Sequence, residues 1–181
     1  MVLAGPTAVG KGTVAARIRE EYPEVSLSVS ATTRPPRAGE VDGIHYFFVD
    51  DQEFDRLIAD GELLEWATVH RYGTPRKPVE DALAAGRTVL LEIDIQGALQ
   101  VRAAEPSAAL VFLLPPSWDE LVDRLVGRGT EDEEERRRRL RTAVTELKGQ
   151  DVFDFRVIND DVARAAQEVV ELAQAPARRE A

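Results

Sequence analysis

The run Gly5-Pro6-Thr7-Ala8-Val9-Gly10-Lys11-Gly12-Thr13 sets two glycines and a lysine at the spacing of a phosphate cradle. Gly5 and Gly10 permit a tight turn whose backbone N–H groups point inward, and a helix opening after Lys11 adds its positive end to the same anion. Lys11 then neutralises the outer phosphates of a nucleotide. The hydroxyl residue that usually follows the lysine is replaced by Gly12, so Thr13, one place on, is the candidate for a magnesium-facing hydroxyl. An ordinary glycine turn between strand and helix is the plainer alternative; a lysine in register and the right flanks argue against it.

A second group is Thr32-Thr33-Arg34-Pro35-Pro36-Arg37, two arginines three apart on a proline-stiffened segment. Guanidinium forks bind phosphate oxygens in pairs, so two of them in one loop suit a monoester dianion, although a solvated surface pair is the bland alternative. A third group is Glu92 and Asp94, which close the apolar run beginning at Thr88. Ligands of open α/β sheets gather at the carboxyl ends of strands, which places these acids where chemistry is expected; capping of the following helix is the other reading. His45 and His70 lie far apart in a chain without cysteine and read as packing or surface residues, not a metal pair. Ser28 and Ser30 lack the context of a nucleophile elbow.

These groups need elements to hold them. Val2-Leu3-Ala4 fits a buried strand, and apolar residues at helical spacing run from Val14 to about Tyr22, where Pro23 ends the helix. Val25 to Ser30 alternates with period two, completing a βαβ unit. From Ala31 to about Thr74 the composition shifts towards Arg, Gly, Asp and aromatics, with a strand at Tyr46 to Val49, a short helix capped by Asp50, and an extended piece from Leu63 to Ala67. This segment reads as a small substrate lobe inserted in the core. A helix near Val79 to Ala85, buried strands at Thr88 to Asp94 and Ala108 to Leu114, and a capped helix from Ser117 resume the core. Acids at 131 to 135 then face arginines at 136 to 139 four residues on, which reads mainly as a solvated, ion-paired helix. A last strand at Phe155 to Ile158 and a helix started by Asp160 or Asp161 complete the order, and residues 177–181 read as a frayed tail.

Composition bounds the function. The 181 residues carry 23 basic and 33 acidic side chains, a net charge of −10, which disfavours nucleic acid and anionic membrane as partners. No apolar run is long enough for a membrane span, and the lack of cysteine is compatible with a reducing cytoplasm. A cytoplasmic location is the expectation, with oligomeric state left open.

Glu40-Val41-Asp42-Gly43-Ile44-His45-Tyr46, together with Ser28 to Arg34, Glu65-Trp66, Tyr72-Gly73-Thr74-Pro75, Glu92 to Gly97 and Gly127-Arg128-Gly129-Thr130, closely resembles guanylate kinases. The resemblance runs in the family's order from about Val2 to Ala173. It implies an α/β fold: a phosphate-loop, three-layer α/β/α core with a parallel sheet (residues 1–31 and 75–176), an inserted mixed α/β lobe for GMP (about 32–74) and a helical lid (about 127–145). It implies transfer of the γ-phosphoryl group of ATP to GMP, with Mg2+ as cofactor and ATP and GMP as the small-molecule partners. Carried onto this chain, Arg34, Arg37, Tyr46 and Tyr72 hold the GMP phosphate, and Ser30, Glu65, Thr74 and Asp94 read guanine. Gly5, Pro6, Thr7, Ala8, Val9, Gly10, Lys11, Gly12 and Thr13 hold ATP, with Asn159 near adenine. Lys11, Arg128 and Arg139 act on the transferring phosphoryl. Guanine's N1–H and N2–H₂ donors match carboxylates such as Glu65 and Asp94, and a Thr74 hydroxyl could donate to O6; Glu92 or Asp94 could equally serve magnesium.

The chain departs from the family pattern at Thr7-Ala8, where Ser-Gly is common, at Gly12, and in a run before Tyr72 that is about two residues short. Three rival readings fit the residues less well. A GTPase fits Asp94-Ile95-Gln96-Gly97, but Asn159 is the one asparagine and precedes Asp160, so the N-K-x-D base reader cannot occur. A silent scaffold domain conflicts with the intact Lys11, Arg128 and Arg139. A kinase for another small phosphate conflicts with the guanine-reading set.

Overall fold

Leu3, Leu90, Val111 and Leu113 are buried on one face of a sheet, and Val2, Ala4, Val89, Leu91, Leu110 and Phe112 on the other. Strands with both faces apolar require helices on each side, and that is how the chain packs. The structure is a computed structural model that describes residues 1–68, 71–126 and 133–175. Among these residues the main sheet has the order β2-β7-β1-β8-β9, with β1 Val2–Ala4, β2 Val25–Leu27, β7 Thr88–Glu92, β8 Leu110–Leu114 and β9 Phe155–Ile158. Every pairing in it is parallel; β1 is central, with Leu3 opposite Glu92 on one side and Val111 on the other. Helices α1 (Lys11–Glu21) and α7 (Val162–Gln174) cover one face, and α3 (Arg76–Ala84) and α4 (Ile95–Ala104) the other.

A second sheet, order β4-β3-β6-β5, is built from Ala31–Thr32 (β3), Phe47–Phe48 (β4), Leu63–Ala67 (β5) and Tyr72–Pro75 (β6). It is mixed: β3 runs parallel to β4 and antiparallel to β6. Helix α2 (Asp51–Ala59) packs Phe54 and Leu57 onto it, and Asp50 accepts the Glu53 N–H at 2.8 Å as the sequence predicts. Helices α5 (Trp118–Val126) and α6 (Glu133–Lys148) pack through Leu121, Leu125 and Ala143, and Glu133 pairs with Arg137. No helix among the described residues is long and apolar enough to cross a membrane.

Several elements differ from expectation. Strand β2 stops at Leu27 instead of Ser30, because the chain turns from the core sheet towards the second one and Ser30 offers its carbonyl to Phe47 N–H. Helix α1 starts at Lys11, where the loop reading opens it, three residues ahead of Val14, its first apolar residue. Helix α3 starts at Arg76, three residues before Val79, because Arg76-Lys77-Pro78 adds nothing to an apolar helical stripe. Strand β6 was not anticipated, and helix α4 only as the helix that Glu92 or Asp94 could cap. Tyr72-Gly73-Thr74-Pro75 has the composition of a turn, yet Gly73 is needed for close pairing: a Cβ there would lie 2.9 Å from Glu65 O.

Candidate active site

The phosphate loop leaves the carboxyl end of the central strand β1 and ends at α1. Gly10 takes φ 98°, in the left-handed region, and a Cβ on it would come within 2.5 Å of Asn159 Nδ2. Only glycine fits both demands. Asn159, buried between β9 and α7, donates Nδ2 to Val9 O at 2.8 Å, and Arg124 reaches the same carbonyl at 3.2 Å. The loop is therefore clamped from behind. With its amide nitrogen assigned by that bond, Asn159 Oδ1 is buried and accepts no hydrogen bond among the described residues. Lys11 Nζ donates to Gly5 O at 2.8 Å and Pro6 O at 3.2 Å. Burial pushes its ammonium down from the usual range, partly offset by Glu92, Glu146 and Asp94.

The Thr7-Ala8 departure has a visible consequence. Ala8 holds φ 66°, a left-handed conformation that disfavours side-chain-bearing residues by roughly 1–2 kcal/mol, and packs against the α5–α6 cluster. Thr7 N–H donates to Glu146 on α6 at 2.8 Å, an acid that sequence reasoning passed over. Gly12 and Thr13 are exposed at the start of α1, and a Cβ on Gly12 would have Glu92 Oε1 at 3.7 Å, an ordinary contact. Burial raises the Glu92 carboxyl, with Lys11 and Arg19 pulling it back.

In the second sheet, Arg34, Tyr46 and Tyr72 converge. Arg34 Nε donates to Tyr72 Oη at 2.8 Å, its guanidinium lies 5.0 Å from the Tyr46 ring, and the two tyrosine rings are 5.7 Å apart. The fork of Arg34 is held by Glu40 through bonds of 2.7 and 2.6 Å, and Glu40 also accepts the Arg37 N–H at 2.7 Å. This ion pair raises Arg34 further and draws Glu40 down to about 2. Glu40 opens the Glu40-to-Tyr46 motif, but nothing in its spacing marks it as the partner of Arg34. Arg37 itself is exposed.

Glu65 and Thr74 face each other across β5 and β6, 5% and 0% exposed, with Thr74 Oγ1 2.6 Å from Glu65 Oε1. Burial raises the Glu65 carboxyl, with the Thr74 bond opposing and Asp94 adding to the rise. The Thr74 hydroxyl donates its hydrogen bond to an ionised Glu65 and so steadies the carboxylate, where the sequence suggested donation to O6. Asp94 is exposed at the end of β7 and caps α4, accepting Gly97 N–H at 2.7 Å, so the capping reading holds while the carboxylate stays at the site. Ser30 is half-buried beside β3. Arg139 is half-buried on α6, and Arg128 lies outside the described residues.

A lysine-bearing phosphate loop and an arginine–tyrosine pocket on an inserted sheet, with carboxylates at the strand ends, define a phosphotransferase of the nucleoside monophosphate kinase class. The guanylate kinase family model matches residues 1–175. A guanylate kinase of Leifsonia xyli subsp. xyli is 69% identical over 175 residues, covering 95% of this chain and 69% of that protein. One of Thermobifida fusca is 59% identical over 177 residues, covering 97% and 90%. The crystal structure of guanylate kinase from Anaplasma phagocytophilum superposes with a TM-score of 0.77 at 35% identity, covering 98% of this chain and 85% of that one. The chain belongs to the guanylate kinase family.

Proposed function

We propose that this chain transfers the γ-phosphoryl group of ATP to GMP, giving ADP and GDP, with dGMP as a second acceptor. The observation that carries the reading is the buried Glu65–Thr74 pair beside Asp94, a desolvated acceptor set suited to guanine's adjacent N1–H and N2–H₂ donors. Adenine presents a different pattern and would leave these groups unpaired. The lobe of about 32–74 then binds GMP, the core of 1–31 and 75–176 carries the phosphate loop, and a lid of about 127–145 brings Arg128 and Arg139 to the reacting phosphates. Asn159, which braces the loop through Val9 O, is assigned to the adenine side of the ATP site. The reaction is placed in the cytoplasm, where both nucleotides occur.

An oxygen of the GMP phosphate forms a bond to the γ-phosphorus as the bond from that phosphorus to the β–γ bridging oxygen breaks, and ADP keeps the bridging oxygen. A phosphate monoester is largely a dianion at pH 7, its second pKa being about 6, so the nucleophile needs no general base. Catalysis is positioning and charge neutralisation. Lys11 steadies the ATP phosphates, Arg34, Arg37, Tyr46 and Tyr72 orient the acceptor, and lid closure excludes water. Magnesium fits as an ion carried on the phosphates. No group of three or more acids or histidines forms a cage among the described residues, and magnesium commonly takes one or two carboxylates plus substrate oxygens. Glu92, facing position 12, and Thr13 would hold it, and the ion would neutralise developing charge on the phosphates.

The direct test is ADP release from ATP and magnesium with GMP, dGMP, AMP, CMP and UMP offered separately. Turnover confined to GMP and dGMP is expected; equal turnover with AMP, or none with GMP, overturns the reading. Arg34→Lys tests the phosphate pocket. Lysine lacks the fork that spans two oxygens, so KM for GMP should rise by about 10- to 100-fold, the scale of a lost charge-assisted bond or two, with KM for ATP unmoved. An equal rise in both constants would remove Arg34 from the acceptor site.

A further inference from the structure

Strand β5 is the edge of the second sheet, paired with β6 on one side only. Its outer edge meets helix α4 of the core. Gln100 on that helix accepts the Trp66 N–H at 3.0 Å through Oε1 and donates Nε2 to Trp66 O at 2.8 Å. A side-chain amide thus makes the two bonds that a neighbouring strand would otherwise make, and using both of its ends fixes its orientation. One turn earlier on the same helix face is Gly97. An ideal Cβ on Gly97 would lie 2.6 Å from Glu65 Oε2 and 3.1 Å from Glu65 Cδ, so a side chain there requires the Glu65 carboxylate to shift. Glu65, anchored through Thr74, therefore rests its carboxylate against bare helix backbone. A further turn back, Asp94 caps the helix through the Gly97 N–H. Residues 94, 97 and 100 form one stripe where the core docks on the inserted sheet.

Glu65 comes from the inserted sheet and Asp94 from the core, so their relation depends on this seam. We propose that Gly97 and Gln100 are positioning residues for base selectivity: Gln100 sets the register of β5 against α4, and the missing side chain at 97 sets how deep the Glu65 carboxylate sits beside Asp94. The inference rests on Glu65 reading guanine. Neither residue touches the nucleotide in this account. Gly97 lies inside a helix, where alanine is intrinsically the better helix former, so a loss on substitution would come from the displaced carboxylate and not from helix weakening.

The test compares Gly97→Ala, Gln100→Ala, Glu65→Gln and the double variant Gly97→Ala/Glu65→Gln in full-length protein. Folding is checked by circular dichroism and thermal melting. Gly97→Ala should lower kcat/KM for GMP by up to about 10²-fold, the loss that misplacement by an ångström can bring, chiefly through KM. The ratio of GMP to AMP turnover should fall with it, and KM for ATP should stay within about twofold, since its effect is confined to the guanine side. Gln100→Ala should move the same ratio in the same direction and less, and it keeps the proposal testable should alanine at 97 prevent folding. In the Glu65→Gln background Gly97→Ala should add little to the change in ratio, because both act through one carboxylate. If Glu65→Gln lowers the ratio while folded Gly97→Ala and Gln100→Ala leave it unchanged, the positioning role is overturned. Additive losses in the double variant overturn it too. An unchanged ratio in Glu65→Gln itself would instead remove the base reading on which the inference stands.

Discussion

Lys11→Ala is expected to lower kcat for GMP phosphorylation by about 10³-fold or more, in line with the loss of a correctly placed cation in phosphoryl transfer. Its ammonium is the cation built into the phosphate loop, held by Gly5 O and Pro6 O until phosphate oxygens replace those carbonyls. The fold should survive. Burial lowers the Lys11 pKa, so the charged form is less favourable in the folded protein than in the unfolded chain. The group therefore detracts from stability below its lowered folded pKa, and the penalty fades as pH rises through that value towards the unfolded one. At neutral pH its removal should leave the thermal midpoint unchanged or slightly raised, apart from the lost packing of its stem. Lys11→Met keeps most of that stem and separates packing from charge. Both variants should lose turnover alike while retaining the wild-type circular dichroism spectrum. Activity within tenfold of wild type in either would break the assignment of the loop.

What could be read from the sequence follows from how local each signal is. The phosphate loop is legible because its demands, a glycine at φ 98° and a lysine at the helix start, fall within a few consecutive residues. The central strands β7 and β8 are legible because burial on both faces forces an unbroken apolar run. Helix α4 is legible only through its cap, Asp94, because Ile95-Gln96-Gly97-Ala98-Leu99-Gln100 spends one face on the core and another on β5, leaving no clean polar–apolar division. The arginine–tyrosine pocket was reached through the family resemblance, since Arg34, Tyr46 and Tyr72 are far apart in the chain. Glu40 and Glu146 stayed invisible because the fold of the chain chooses their partners, the Arg34 guanidinium and the Arg37 N–H in one case and Thr7 in the other. Gly12, which looks like damage to the loop, has Glu92 as its neighbour, and that relation exists only once β7 lies beside β1.

Glu65→Gln should lower kcat/KM for GMP by about 10²- to 10⁴-fold and collapse the preference over AMP. Two hydrogen bonds to a charged acceptor, worth about 1.5–3 kcal/mol each, give that range. Glutamine offers one acceptor and turns an NH₂ towards guanine's donors, so one bond is lost and the other weakened. Stability should move the opposite way. Burial raises the Glu65 pKa, so its stabilising contribution belongs to the protonated form: present below the unfolded carboxylate pKa, and lost as pH rises through the raised folded value. At pH 7 the wild type carries the penalty of an ionised, buried carboxylate, and the neutral amide, which can still accept the Thr74 hydroxyl, does not. The variant should melt higher at neutral pH, with the difference shrinking as pH falls through the raised folded value and gone below the usual carboxylate range. The same shift predicts an acid limb in kcat/KM for GMP above the ordinary glutamate pKa, because a protonated Glu65 presents a donor where guanine needs an acceptor. That limb should vanish in Glu65→Gln. The raised Glu92 carboxyl, beside the phosphate loop, would leave its own limb in the ATP profile of both proteins. A variant that is less active yet no more stable, with the GMP limb still in place, would show that Glu65 supports the fold and that another group reads the base.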